Sequence, residues 1–182
     1  MHKLVKKPLM SIIGLSLLST VAFSSVVGAE DAELTAEEKE AVEQEAIKLD
    51  NIDASDLDNK VEFGNGNDSN DDEFSTQSWN SLSRGTSSIN IDISTMKGES
   101  TSKGRVLTTV TTATNFLYLD NTRLRTGDTS QALARFTATS STEAPVDPLG
   151  GINSGLWESK GVHTATHSGV IYTATTGDLI YW

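Results

Sequence analysis

The sequence predicts an all-β domain, an antiparallel β-sandwich or barrel, preceded by a short helix and a disordered acidic linker. Three observations carry this. Runs rich in Thr, Val, Ile and aromatic residues recur between Ile89 and Trp182, divided by turn signals at short intervals. Apolar and polar residues alternate through several of those runs, as half-buried strands require. Charge also divides the chain. Residues 30–75 hold 17 acidic side chains against Lys39, Lys48 and Lys60, whereas the 107 residues from Thr76 to Trp182 carry eight acids and eight bases. A neutral domain, long enough to bury about 65% of its unfolded surface around one core, thus follows an acidic segment in a chain of net charge −11.

The first element is not expected to belong to the mature fold. Lys3, Lys6 and Lys7 precede an uncharged, mostly apolar run from Leu9 to Val27, and Val27-Gly28-Ala29 supplies a cleavage-type tripeptide. This order predicts a signal peptide over residues 1–29, cleaved near Ala29, and therefore a secreted, extracellular protein. The chain has no cysteine, which excludes a lipoprotein anchor and leaves stability to packing rather than disulfides. A cysteine-free exported chain with this signal fits Gram-positive bacteria.

Residues 30–75 read as an acidic segment in two parts. Thr35-Ala-Glu-Glu38 has the form of a capping box, and the early acids suit the helix dipole. A short helix is expected over residues 35–49, with Val42, Ala46 and Ile47 on one face and Leu49 near its edge. Such a helix is marginal alone in water and needs a partner surface. Residues 51–75 are rich in Asp, Asn, Ser and Gly, a composition that predicts disorder. The abrupt change of charge at residue 76 makes residues 30–75 a candidate propeptide.

In residues 76–182 the strands follow in order. Ile89, Ile91 and Ile93 alternate with polar neighbours. Val106, Thr108, Val110 and Thr112 share one face of a run reaching Phe116 to Leu119. Asp120-Asn121 and Gly127-Asp128 read as turns. Ala132, Ala134, Phe136 and Ala138 share a further face. Residues 140–155, with Pro145, Pro148 and Gly150-Gly151, read as a long loop. Leu156-Trp157 and the runs 162–167, 170–176 and 179–182 supply the last strands, the aromatic C-terminus being buried as a strand that closes the sheet.

Chemistry-bearing patterns are sparse. His163 and His167 lie on a strand, where residues four apart stand about 13 Å from each other, too far for one metal; an ordinary exposed or turn position is expected. Asn65, Asn67, Asp68, Asp71, Asp72 and Glu73 fit no EF-hand frame and read as a solvated linker. No Gly-x-Ser-x-Gly, phosphate loop, zinc spacing or dinucleotide fingerprint occurs, so neither an enzyme nor a cofactor is expected. Arg123 and Arg125, two apart and so expected on one strand face, suit a carboxylate, phosphate or anionic wall polymer. Trp157 and Tyr172 join them as candidate recognition residues, among aromatics that also include Trp79, Tyr118, Tyr181 and Trp182. A neutral domain in an acidic chain disfavours nucleic acid.

The stretch Trp157-Glu-Ser-Lys-Gly-Val-His-Thr-Ala-Thr-His-Ser-Gly169 resembles small cysteine-free secreted β-domains of Gram-positive bacteria, among which lactococcin 972-like bacteriocins are a characterised neighbour. The resemblance implies a secreted β fold and transfers no functional residue. The expected role is surface recognition at the cell envelope or extracellular matrix, with a cell-wall polymer, a membrane surface or another protein as partner. The alternative is a bacteriocin- or toxin-like effector with an acidic propeptide.

Overall fold

The computed structural model describes residues 34–64, 81–147 and 154–182. The expected signal peptide, the acidic run 65–75, Trp79, Pro148 and Gly150-Gly151 lie outside the described residues. Among those described, no helix is long and apolar enough to cross a membrane.

Helix α1 spans Ala36–Leu49 and starts as its sequence dictates. The Glu38 N–H donates to Thr35 Oγ1 at 3.2 Å, and the Thr35 N–H donates to Glu38 Oε2 at 3.0 Å, which completes the capping box. Val42, Ala46 and Leu49, spaced four and three apart, pack on Phe116, Tyr118 and Val162. Ile47, expected on that face, is exposed, because it stands about 140° around the helix from Val42.

Order continues past the helix into the segment expected to be disordered. Ala54–Asp56 form a 3-10 turn, and strand β1, Lys60–Phe63, pairs antiparallel with β2, Ser83–Asp92. Sparse as its apolar residues are, this stretch buries Phe63 and packs Leu57 beside the helix cluster. Its backbone is also used: the Asp58 carbonyl accepts from Gly177 N–H at 3.1 Å and the Asn59 carbonyl from Ser87 N–H at 2.9 Å.

The remaining strands are β3 Thr95–Gly104, β4 Val110–Leu119, β5 Thr122–Thr126, β6 Ser130–Leu133, β7 Thr137–Pro145, β8 Leu156–His167 and β9 Val170–Tyr181. They form two antiparallel sheets, one ordered β1-β2-β3-β7 and the other β5-β4-β8-β9, with β6 also paired to β4. The sheets face each other, and α1 covers the outer face of the second. Asp120-Asn121 and Ser168-Gly169, all at positive φ, turn the β4–β5 and β8–β9 hairpins in two residues, as such turns require.

Several strand limits differ from the sequence reading. Ile93 leaves its strand for the β2–β3 turn, at φ 42°. Residues 105–109 are a connection, so β4 starts only at Val110. The run through Ala132 and Ala138 is broken at Ala134, φ 61°, and Phe136 is left exposed. Residues 140–145, expected within a loop, belong to strand β7, Thr137–Pro145, with strict alternation of burial. Strand β3 was not legible as one, because its buried face is Met96, Gly98, Ser100, Ser102 and Gly104. The two expected C-terminal strands are one, β9, at the edge of its sheet.

Between the sheets, the apolar clusters lie at the two ends, and the buried Phe63 ring stands beside His163, 6.4 Å between ring centroids. Ile89, Met96, Leu117, Ala144, Val146 and Trp157 fill one end, and Ala113, Ala132 and Ala138 the other.

Candidate functional site

The middle of the interior is a layer of hydroxyls around His163, which is fully buried rather than exposed as expected. The Ser102 Oγ–H donates to the Thr112 carbonyl at 2.5 Å. Having one hydrogen, Ser102 must accept at its other contact, so His163 carries its proton on Nδ1 and donates to Ser102 Oγ at 2.8 Å. His163 Nε2 then accepts from Thr176 Oγ1–H at 2.7 Å. The same rule orients the rest. Ser87 donates to Thr176 at 2.6 Å, Ser100 to Ser87 at 2.9 Å, and the Asn115 amide to Ser100 at 2.8 Å. Thr142 closes the chain by donating to Asn115 Oδ1 at 2.5 Å.

Glycines let this layer close. A Cβ on Gly161 would stand 2.5 Å from both Ser87 Oγ and Ser100 Oγ, and one on Gly85 would stand 2.5 Å from the His163 ring. Burial pushes the His163 imidazole down to about 3, and a proton on Nε2 would also oppose the Thr176 hydroxyl. His163 is therefore a neutral structural group, saturated on both nitrogens and shut off from solvent. His167 lies partly exposed at the end of β8, within 3.2 Å of Thr108 Oγ1.

The outer face of the second sheet has the opposite character. Glu158 and Lys160, two apart on β8, both point toward α1 and are fully buried, 3.3 Å from each other. Lys160 Nζ donates to the Ile52 carbonyl at 2.5 Å and to the Leu49 carbonyl at 3.4 Å, a favourable place for a cation beside a helix C-terminus. Glu158 Oε1 accepts the Ala54 N–H at 2.7 Å. The ammonium also lies over the Tyr118 ring, 4.2 Å from its centroid. Burial pushes the Tyr118 phenol up, and its hydroxyl donates to Asp50 at 2.9 Å. Toward the helix N-terminus, Thr166 donates to Glu38 at 2.7 Å.

The sequence-predicted residues fall into separate surroundings. Arg123 stacks on Phe116 at 4.7 Å, pairs with Asp50 at 2.6 Å and donates to the Ala46 carbonyl at 2.7 Å, so it holds α1. It also borders a cleft of about 380 Å³ lined by Val42, Ala46, Ile47, Thr114 and Thr129. A register shift in the β4–β5 pairing sets Arg123 beside Tyr118 but Arg125 beside Leu117, residues of opposite faces of β4. Arg125 is exposed, and its guanidinium reaches the neighbouring Leu124 carbonyl at 3.4 Å. Trp157 is fully buried in the apolar end of the core, and Tyr172 is half-buried on β9 opposite Ala165.

A feature missed from the sequence lies where the β3–β4, β6–β7 and β8–β9 connections meet. Leu107, Leu133, Phe136 and Val170 are exposed there by 68%, 43%, 70% and 47%. Their signal was apolar residues assigned to strands that end just before or after them. Comparison with known proteins finds no family model that matches the chain and no curated protein that matches it.

Proposed function

We propose that this is a secreted, non-enzymatic β-domain that acts by surface recognition at the cell envelope or the extracellular matrix. The reading rests on one contrast in accessibility. The buried imidazole and hydroxyls are consumed by each other, whereas the connection end presents Leu107, Leu133, Phe136 and Val170 to solvent, an arrangement that suits contact rather than turnover. The chain from Glu30 onward, incubated with isolated wall, membrane and matrix fractions, is expected to be retained by at least one. Retention by none overturns the reading.

A second reading is supported by the docking of α1. As a propeptide, residues 30–75 would cover a face that their removal exposes: Phe116, Tyr118, Val162 and the Glu158–Lys160 pair. A bacteriocin- or toxin-like effector held in check this way inhibits growth of related strains as the 76–182 form. Absence of inhibition by that form and by the chain from Glu30 removes this reading.

A further inference from the structure

We propose that the connection end of the molecule docks on an anionic lipid bilayer; this rests on the surface-recognition reading and names its partner. Three separate connections bring their apolar side chains to this end. Residues 105–109 supply Leu107, residues 133–136 supply Leu133 and Phe136, and the β8–β9 hairpin supplies Val170. They are four of the nine large apolar side chains left exposed among the described residues, the others being Ile47, Ile93, Leu124, Leu179 and Tyr181.

The three connections are tied to one another. The Ala134 N–H donates to the Thr109 carbonyl at 2.7 Å, joining the first two, and Thr108 Oγ1 meets His167 Nδ1 at 3.2 Å, joining the first to the hairpin. Within them, Thr109 N–H donates to Val106 O and Phe136 N–H to Leu133 O, each at 3.3 Å. The apolar groups are thus held in place before binding, which lowers the ordering cost of association. The surface is also a projection rather than a groove. A side chain built on Gly169 would meet nothing within 4 Å. Projecting apolar side chains enter the headgroup and upper acyl region of a bilayer without needing a complementary pocket.

Charge selects the lipid. None of the three connections carries a carboxylate; they hold Arg105, Arg135 and His167, and Lys103 stands exposed at the end of β3. Arg105 is bound to Glu62, while Arg135 is exposed. At the opposite end the turns carry Asp92 and Asp120 and no cation. The N-terminus of α1, with Glu37 and with Glu38 held by Thr166, also lies toward this end, so the groups that meet an anionic surface are the exposed cations Arg135 and Lys103 beside the apolar side chains. The Arg135 stem can lie along the apolar layer with its guanidinium at the phosphates.

The test is vesicle co-sedimentation of the chain from Glu30, which keeps every described residue and lacks the apolar run before Ala29. Phosphatidylcholine vesicles with about a quarter phosphatidylglycerol are expected to carry the protein down, and pure phosphatidylcholine vesicles to carry several-fold less. The double variant Leu107→Ser/Phe136→Ser lowers partition about tenfold or more, with its urea midpoint unchanged because both side chains are already exposed. Arg135→Glu lowers it roughly fivefold on the anionic vesicles alone. Ile93→Ser, an equally exposed apolar change at the opposite end, leaves it unaltered. The proposal is overturned if the protein ignores both vesicle types, if the double variant binds like the parent, or if Ile93→Ser loses as much. A chain that ignores vesicles but is retained by wall or matrix fractions removes the lipid partner and leaves surface recognition standing.

Discussion

Strand β8 separates two interiors built on opposite plans. Its residues Ser159, Gly161 and His163 face the other sheet, in a layer of small, uncharged, hydrogen-bonding groups. Its residues Glu158, Lys160 and Val162 face α1, in a layer of apolar groups around a buried ion pair. The usual plan puts the apolar layer between the sheets and polar residues outside. Here the space between the sheets is closed by directed hydrogen bonds, and much of the apolar packing is supplied by the N-terminal segment. The contrast teaches that residues 34–64 complete the fold rather than decorate it, although their composition is that of a solvated tail.

The largest test of this contrast removes one charge from the outer layer. Lys160→Met leaves the Glu158 carboxylate buried without its counter-ion and strips the Leu49 and Ile52 carbonyls of a donor. The expected cost is about 3–5 kcal/mol in urea unfolding. Adding Glu158→Gln, which still accepts the Ala54 N–H but carries no charge, recovers more than half of that loss. A single-variant cost below about 1 kcal/mol would mean that water reaches the pair and that α1 does not seal it.

How far the sequence was legible follows from the same contrast. The capping box of α1, the Asp120-Asn121 turn and the β-rich character were readable, because each is written in local propensity and spacing. Strand β3 was not, since periodicity methods look for apolar residues and its buried face is chiefly glycine and serine. Phe63 escaped notice because a lone aromatic in an acidic stretch gives no pattern; only its pairing partner, β2, makes sense of it. Arg123 was singled out, but its partners Asp50 and Ala46 lie far away in sequence, so its work in holding a helix was invisible. Lys160 and Glu158 carried one faint sign: two opposite charges two apart within a strand share a face, and a covered face would bury both.

The inner layer is tested by pH. The folded pKa of His163 lies at about 3, below the value near 6.5 of an unfolded imidazole. Its contribution to stability is therefore complete above about pH 6.5 and is lost as pH falls, by about 1.4 kcal/mol per unit. Between pH 7 and pH 5 the parent should lose about 2 kcal/mol from this group. His163→Gln removes the titration, so its unfolding free energy falls less steeply over the same interval, whatever the carboxylates add to both proteins. Parallel slopes would show that the imidazole accepts a proton inside the fold and that the hydroxyl chain is not fixed in direction.

The smallest expected effect separates the two layers most cleanly. Thr35→Ala removes the acceptor for the Glu38 N–H and one of the donors to a carboxylate that also accepts from Thr166 on β8. Loss of such a cap costs about 1 kcal/mol, and it acts on a helix too short to persist without its docking surface. Hydrogen exchange is therefore expected to rise through Ala36–Leu49 while the amides of β3, β4 and β8 around His163 keep their protection. That outcome would make the outer layer a unit that opens on its own, with the hydroxyl layer intact beneath it. Equal loss of protection in α1 and in both sheets would mean that the two interiors, different as their chemistry is, open only together.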